Sequence, residues 1–305
     1  MYELTINAND ASQRLDKFLT KFMPALPKSM LYKGIRKNCV KVNGKHIKNG
    51  DYILKEGDNL KLYFKDEFFA KKEVVSFGEP LKKEYIVYED KNIIVIDKPS
   101  GIVVHTDDNK SENTLINMVK SYLCQNGEYN PENEHSFSPA LCNRIDKNTS
   151  GLIIAAKTAA ALRIINEKIR TREIKKFYLC AVEGAPPKSG IIEAHLAREE
   201  KYVKIYDTPN RDTKPIKTGF KVIEYLDGFS IVEVELFTGR THQIRAHMAH
   251  IGYPLIGDIK YGAKTKRNTY QALQSYKLVF DFETGADELE YLNGKEFISK
   301  IKFTL

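Results

Sequence analysis

Two segments carry residues whose types and spacing suit chemistry. The first is Asn143-Arg144-Ile145-Asp146-Lys147-Asn148-Thr149-Ser150-Gly151, which leads into the apolar run Leu152–Ala156. It sets one carboxylate on a tight loop beside a buried strand, where rigid scaffolds present reactive groups. The same pattern also fits an ordinary Asx turn that does no more than begin a strand. The second segment runs from Leu236 to Gly252 and holds Thr241, His242, Arg245, His247 and His250. Thr241 is placed to cap a helix that Gly252 closes. Arg245 lies about one turn inside that helix, where its guanidinium can reach a carboxylate from another segment and fix its orientation. His242 and His247 stand about 140° apart around a helix, so they do not face one ion. His247 and His250 share a face, but no cysteine or placed carboxylate completes a metal set. Neither a Gly-x-Gly-x-x-Gly, a Walker loop nor a His-Glu-x-x-His occurs, so no nucleotide cofactor and no metal are expected.

The elements that must position these groups follow from periodicity. Strand-like runs occur at Tyr85–Tyr88, Ile93–Ile96, Leu152–Ala156, Phe177–Val182 and Ser230–Leu236, with helix-like stretches at Thr114–Cys124, Ala159–Arg170 and Thr241–Ile251. Strands outnumber helices and lack the regular alternation of a doubly wound sheet, so a mixed α+β domain is expected over residues 84–305. Residues 66–83 keep no period and read as a linker.

Residues 1–65 read as a separate small unit: a strand at Tyr2–Ile6, a helix capped by Asp10 or Ser12 with Leu15, Phe18, Leu19 and Phe22 on one face, and a second helix from about Ser29. Lys33, Arg36 and Lys37 gather on one face of that second helix. Val40–Ile47 reads as a hairpin turning at Asn43-Gly44 in a type I′ turn, followed by a strand near Leu60–Phe64. This unit carries thirteen Lys or Arg against six Asp or Glu, whereas the remaining residues are nearly balanced, at 35 against 34. Such a concentration of positive charge suits a module that meets phosphates or an anionic membrane, and it also fits a merely solvated lysine-rich surface. The four cysteines, Cys39, Cys124, Cys142 and Cys180, include no Cys-x-x-Cys pair and read as reduced thiols. The N-terminus has no apolar targeting core, and no apolar run reaches the roughly 18–20 residues that span a bilayer. A cytoplasmic protein with no membrane association is expected; spacing does not speak to oligomeric state, and a monomer is the expectation.

Ser12–Leu19, Ser29 and Val40–Gly44 resemble the RNA-binding domain first described in small-subunit ribosomal protein four. That resemblance implies RNA contacts at Arg14, Lys17, Lys33, Arg36 and Lys37, made to backbone and shape as suits A-form RNA. Four further blocks occur in order: Lys98–His105, Arg144–Lys157, Lys176–Gly184, and Thr238–His247 with Pro254–Gly262. They resemble the signature blocks of the RluA-type pseudouridine synthases, and with the N-terminal unit the likeness covers nearly the whole chain. It implies a largely antiparallel catalytic sheet and a cofactor-free isomerisation of uridine in RNA, with large-subunit (23S-type) ribosomal RNA the favoured substrate. It also implies Asp146 as the catalytic aspartate, Tyr178 as the ring packed on the target uracil, Arg245 as the partner of that carboxylate, and Arg144 as a side chain that holds the nucleotide extruded. Two positions depart from the family pattern: Asn143 stands where many members have His, and Thr106 where many have Pro. The alternative reading is a non-catalytic RNA-binding or ribosome-assembly protein resting on the basic first unit alone.

Overall fold

The structure, a computed structural model, describes residues 1–69, 77–105, 113–199, 202–265 and 268–304. Thr106 and residues 70–76 of the stretch read as a linker lie outside the described residues.

The first unit consists of β1 (Tyr2–Thr5), α1 (Leu15–Phe22), α2 (Lys28–Arg36), β2 (Val40–Val42), β3 (Lys45–His46) and β4 (Asn59–Leu62), with sheet order β1-β4-β2-β3. Leu15, Phe18, Leu19 and Phe22 are all buried, as their spacing requires, and they pack with Leu31, Ile35, Val40, Leu60 and Leu62 into a core of their own. The hairpin turns on Asn43 (φ 51°) and Gly44 (φ 78°), the two positive values of a type I′ turn. Tyr2 and Phe22 also pack on Phe69, inside the stretch that reads as linker in the sequence.

The capping expectation for α1 fails. Arg14, in extended conformation, precedes the helix and offers no side-chain cap. Ser12 takes a left-handed φ of 58°, and the chain between them is pinned as a strand would be, Ser12 N–H donating to Leu54 O and Leu15 N–H to Tyr52 O. Asp10 is fully buried and spends its Oδ1 on the backbone N–H and hydroxyl of Ser136. Asn9 and Gln13 add side-chain bonds to Glu134 and Ser136. A polar seam therefore joins the first unit to the second.

The second unit contains β5 (Ile86–Glu89), β6 (Ile93–Lys98), α3 (Leu115–Gln125), β7 (Ala140–Leu141), β8 (Ser150–Ala156), α4 (Ala159–Arg170), β9 (Ile174–Glu183), β10 (Ser189–Arg198), β11 (Val203–Tyr206), β12 (Lys214–Leu226), β13 (Phe229–Leu236), α5 (Gln243–His250), β14 (Leu273–Phe280) and β15 (Glu296–Ile298). Among the described residues these strands form one sheet in the order β11-β10-β12-β13-β9-β14-β8-β6-β5, with β15 on β14 and β7 on β8. The named pairings are antiparallel except β14 with β8. The fold is the mixed, mainly antiparallel α+β class read from the sequence. No helix among the described residues is long and apolar enough to cross a membrane.

The continuous apolar runs of β6 and β8 arise because both faces are covered. Ile94, Ile96, Ile153 and Ala155 face a core shared with α3, while Ile93, Val95, Leu152 and Ile154 face one shared with α4. Strands β10, β12 and β14 were not anticipated: over much of their length β10 and β12 alternate buried positions with exposed or half-exposed ones, so no apolar run marks them. Thr114 and Thr158 cap α3 and α4 by accepting from the N–H of Asn117 and Ala161.

The order β13-β9-β14-β8 brings the chemistry-bearing segments together. The Asp146 loop leads into β8, Tyr178 lies on β9, and α5 follows β13. At the first residues of β8, Gly151 has φ 108°, and a Cβ there would fall on the Ser275 carbonyl of β14. Only glycine satisfies both demands. Gly151→Ala is accordingly expected to destabilise the protein by about 3 kcal/mol or more, measured as the shift in a urea unfolding midpoint.

Candidate active site

The loop that carries Asp146 is tied down from several sides before its carboxylate is considered. Lys98, fully buried at the end of β6, donates its Nζ to Lys147 O at 2.9 Å and to Pro99 O at 3.0 Å. Gly101 N–H also donates to Lys147 O, and Ser100 Oγ donates to Asn148 O, each at 2.9 Å. The Lys-Pro-Ser-Gly block is therefore a clamp on the backbone just past the carboxylate. Burial brings the Lys98 ammonium down to about 8, against the pull of the Asp146 charge. On the other flank, Asn143 donates to Leu152 O at 3.2 Å and accepts from Ile154 N–H at 2.8 Å. The residue that departs from the family pattern thus serves as an extra rung on β8.

Arg245 reaches this loop from α5. Its Nη1 donates to Asp146 Oδ2 at 2.8 Å, while Nε and Nη2 grip both oxygens of Asp258 at 2.6 and 2.8 Å. Its side chain is 8% exposed and that of Asp258 2%. Burial pulls the guanidinium down, but the two carboxylates outweigh it and the net shift is upward. One forked cation therefore anchors a buried carboxylate with one edge and aims a half-buried one with the other. Among the described residues, Asp146 Oδ1 has no hydrogen-bond partner.

Asp146, Tyr178 and Arg245 line one cavity of 680 Å³. Tyr178 is 5% exposed. Burial, with a smaller contribution from the Asp146 charge, pushes its phenol up to about 12. It brings a ring and a protonated hydroxyl, not a base. Arg144 also lines the cavity; it is exposed, and among the described residues it makes no hydrogen bond or ion pair. His105 faces the same space and is held below its ordinary value by burial and by Arg144 and Lys120.

Thr241 does not cap α5. His242, at φ 54° and ψ 19°, precedes the helix, and Gln243 closes the turn by accepting from Arg240 N–H and Thr238 Oγ1. The three histidines go to three different partners: Tyr261 for His242, Thr218 for His247 and Asp207 for His250. Among the described residues no three His, Cys, Asp or Glu side chains are grouped to hold a metal ion.

The five basic residues assigned to RNA on the first unit, Arg14, Lys17, Lys33, Arg36 and Lys37, are exposed and do not line the cavity. Arg14 is the exception in charge: its guanidinium forks onto Asp16 at 3.1 and 2.8 Å, and Tyr32 Oη donates to the same carboxylate at 2.9 Å. Sequence reasoning missed the roles of Asp258, Tyr261 and His242. Asp258 stands in the Pro254–Gly262 block, yet nothing in its spacing says that it meets Arg245.

The match to known proteins covers both units. Residues 92–250 match the RNA pseudouridylate synthase family, and residues 13–60 match the S4 domain. An uncharacterized RNA pseudouridine synthase, YlyB of Bacillus subtilis (strain 168), is 32% identical over 95% of this chain and 92% of its own. Ribosomal large subunit pseudouridine synthase C of Escherichia coli (strain K12) is 32% identical over 85% and 79%. In fold, the chain is similar to human RNA pseudouridylate synthase domain containing 4, with a TM-score of 0.56 and 21% identity over 72% of this chain and 89% of that one.

Lys98 generates a pH signature. Its folded-state value of about 8 lies below the ordinary 10.5, so the unfolded chain binds more protons between pH 8 and 10.5, and stability rises with pH across that window. Lys98→Met should lack this rise. The stability gap between wild type and variant, followed by denaturant unfolding from pH 7.5 to 10.5, should change by up to about 3 kcal/mol.

Proposed function

The chain belongs to the RNA pseudouridylate synthase family, whose chemistry is the conversion of uridine to pseudouridine, and from this premise we propose that it modifies uridines of large-subunit ribosomal RNA in the cytoplasm, with Asp146 as the reacting carboxylate. The observation that carries the reading is the pair of Asp146 oxygens on the cavity that Tyr178 also lines: Oδ2 is fixed by Arg245, and Oδ1 has no hydrogen-bond partner among the described residues. The substrate class draws support from the name of the Escherichia coli relative and from the S4 match, which coincides with the basic first unit.

The reaction breaks the bond from C1′ to N1, turns the uracil and joins C1′ to C5; the C5 proton leaves and N1 gains one. A carboxylate oxygen facing the sugar starts this as a nucleophile at C1′ or by drawing off a sugar proton. Both routes need an oxygen held in place by a partner that does not itself take a proton, and arginine is such a partner. The detached base must not diffuse away. A buried ring such as Tyr178 offers it a face, and the cavity limits water. The uridine must leave its stack to enter, at a cost of a few kcal/mol, which binding of RNA phosphates by Lys17, Lys33, Arg36 and Lys37 would offset. A passive RNA clamp would have no use for a carboxylate so aimed.

Large-subunit RNA labelled with tritium at uracil C5 should release label when incubated with the protein. Asp146→Asn should lower that rate by three orders of magnitude or more while RNA binding persists; turnover retained in that variant would remove Asp146 from its role. Reversing Lys33, Arg36 and Lys37 to Glu should weaken binding for all RNA sequences alike. It should also flatten the logarithmic dependence of affinity on salt by about 1 for each phosphate that is no longer neutralised, read by filter binding at several salt concentrations.

A further inference from the structure

His242 stands beside the reacting carboxylate with a hydrogen-bond pattern that fixes its proton. Its Nδ1 lies 2.8 Å from Tyr261 Oη. That oxygen also accepts from the backbone N–H of Val203 at 3.2 Å. A phenol has one proton to give. Burial keeps it on Tyr261, and among the described residues no acceptor but His242 Nδ1 lies within bonding distance of it. Tyr261 therefore donates to Nδ1, so the neutral imidazole carries its hydrogen on Nε2. The cation is disfavoured by burial first, then by Arg245 and Lys260, with Asp146 and Asp258 opposing.

Nε2 is 3.7 Å from Asp146 Oδ2, too far for a hydrogen bond, and that oxygen is already taken by Arg245. The ring lines the same cavity as Asp146 and Tyr178. The result is an unengaged, neutral N–H donor within reach of whatever occupies the space next to the reacting oxygen.

Building on the uridine reading above, we propose that His242 is a catalytic residue whose Nε2–H donates a hydrogen bond to a carbonyl oxygen of the uracil as it detaches, and that Tyr261 is the positioning residue that sets the tautomer. When the C1′–N1 bond breaks, the electron pair stays with the base and spreads onto its carbonyl oxygens. A neutral donor stabilises that charge without giving up its proton, so the base remains electron-rich for attack through C5. No proton is transferred at His242 in this step, and the ring emerges unchanged.

The left-handed backbone at position 242 permits a discriminating pair of variants. Asparagine tolerates that conformation but places its amide near the Nδ1 site, whereas glutamine reaches the Nε2 site. His242→Asn should lose about 100-fold in kcat, with RNA affinity and melting temperature close to wild type, and His242→Gln should recover most of the loss. Two-dimensional nitrogen–proton spectra of the RNA-free full chain at pH 7.5 should show His242 neutral with its proton on Nε2. Tyr261→Phe should bring in the Nδ1–H form and lower kcat by a smaller factor. A wild-type spectrum dominated by Nδ1–H or imidazolium would overturn the inference, as would Asn and Gln variants of equal activity. Failure of the uridine reading looks different: wild-type protein would release no tritium at all, and the tautomer would still be readable.

Discussion

Arg245 is the constraint on which the site depends. A guanidinium that is 8% exposed must have its charge answered, and Asp258 answers it with two bonds from a position yet more buried. With that pair in place, the remaining Nη1 has little freedom, and it is this third edge that meets Asp146. Buried ion pairs add little net stability against apolar residues of similar size, but breaking one leaves an uncompensated charge at a cost of about 3–5 kcal/mol. The arrangement is better understood as an aiming device than as a stabiliser. Around it, the loop clamp from Lys98, Ser100 and Gly101 and the amide rungs from Asn143 hold the facing loop still.

Electrostatic roles in the cavity divide by burial. Tyr178 and His242 are held in their neutral forms, the first by upward and the second by downward displacement, so each contributes shape or a donor and no charge. Charge on that wall comes from Asp146, Asp258 and Arg245, with the buried Lys98 within electrostatic reach of Asp146, while Lys147, Lys176, Arg240 and the exposed Arg144 line the same space. These basic side chains give the cavity a surface to which a polyanion is attracted.

What the sequence revealed follows what is local. The Asp146 loop, the Asn43-Gly44 turn and the buried runs of β6 and β8 were legible because turn chemistry and periodicity act over a few residues. Arg245 was legible as a side chain looking for a carboxylate, and it found two. Asp258 was not, because thirteen residues and a turn separate it from Arg245 and only the fold closes that gap. Helix starts failed twice for different reasons. At the start of α1, Leu15 and Asp16 N–H donate to Tyr52 and Gly50 O of a distant segment. Before α5 the turn is closed locally by Gln243, which accepts from Arg240 N–H and Thr238 Oγ1. Strands β10 and β12 escaped because a strand with one wet face looks, in composition, like a loop.

The position of β14 in the sheet has a consequence for how the molecule comes into being on the ribosome. Residues 273–280 insert between β9 and β8, and Gln274 and Ser275 pair with Ser150 and Gly151 at the foot of the Asp146 loop. Until residues 273–280 have emerged, β8, which follows the Asp146 loop, and β9, which bears Tyr178, have no common strand partner in the sheet. The buried residues of the basic unit's core, by contrast, all lie within the first 62 residues. A growing chain thus acquires the means to hold nucleic acid long before it acquires the means to alter it.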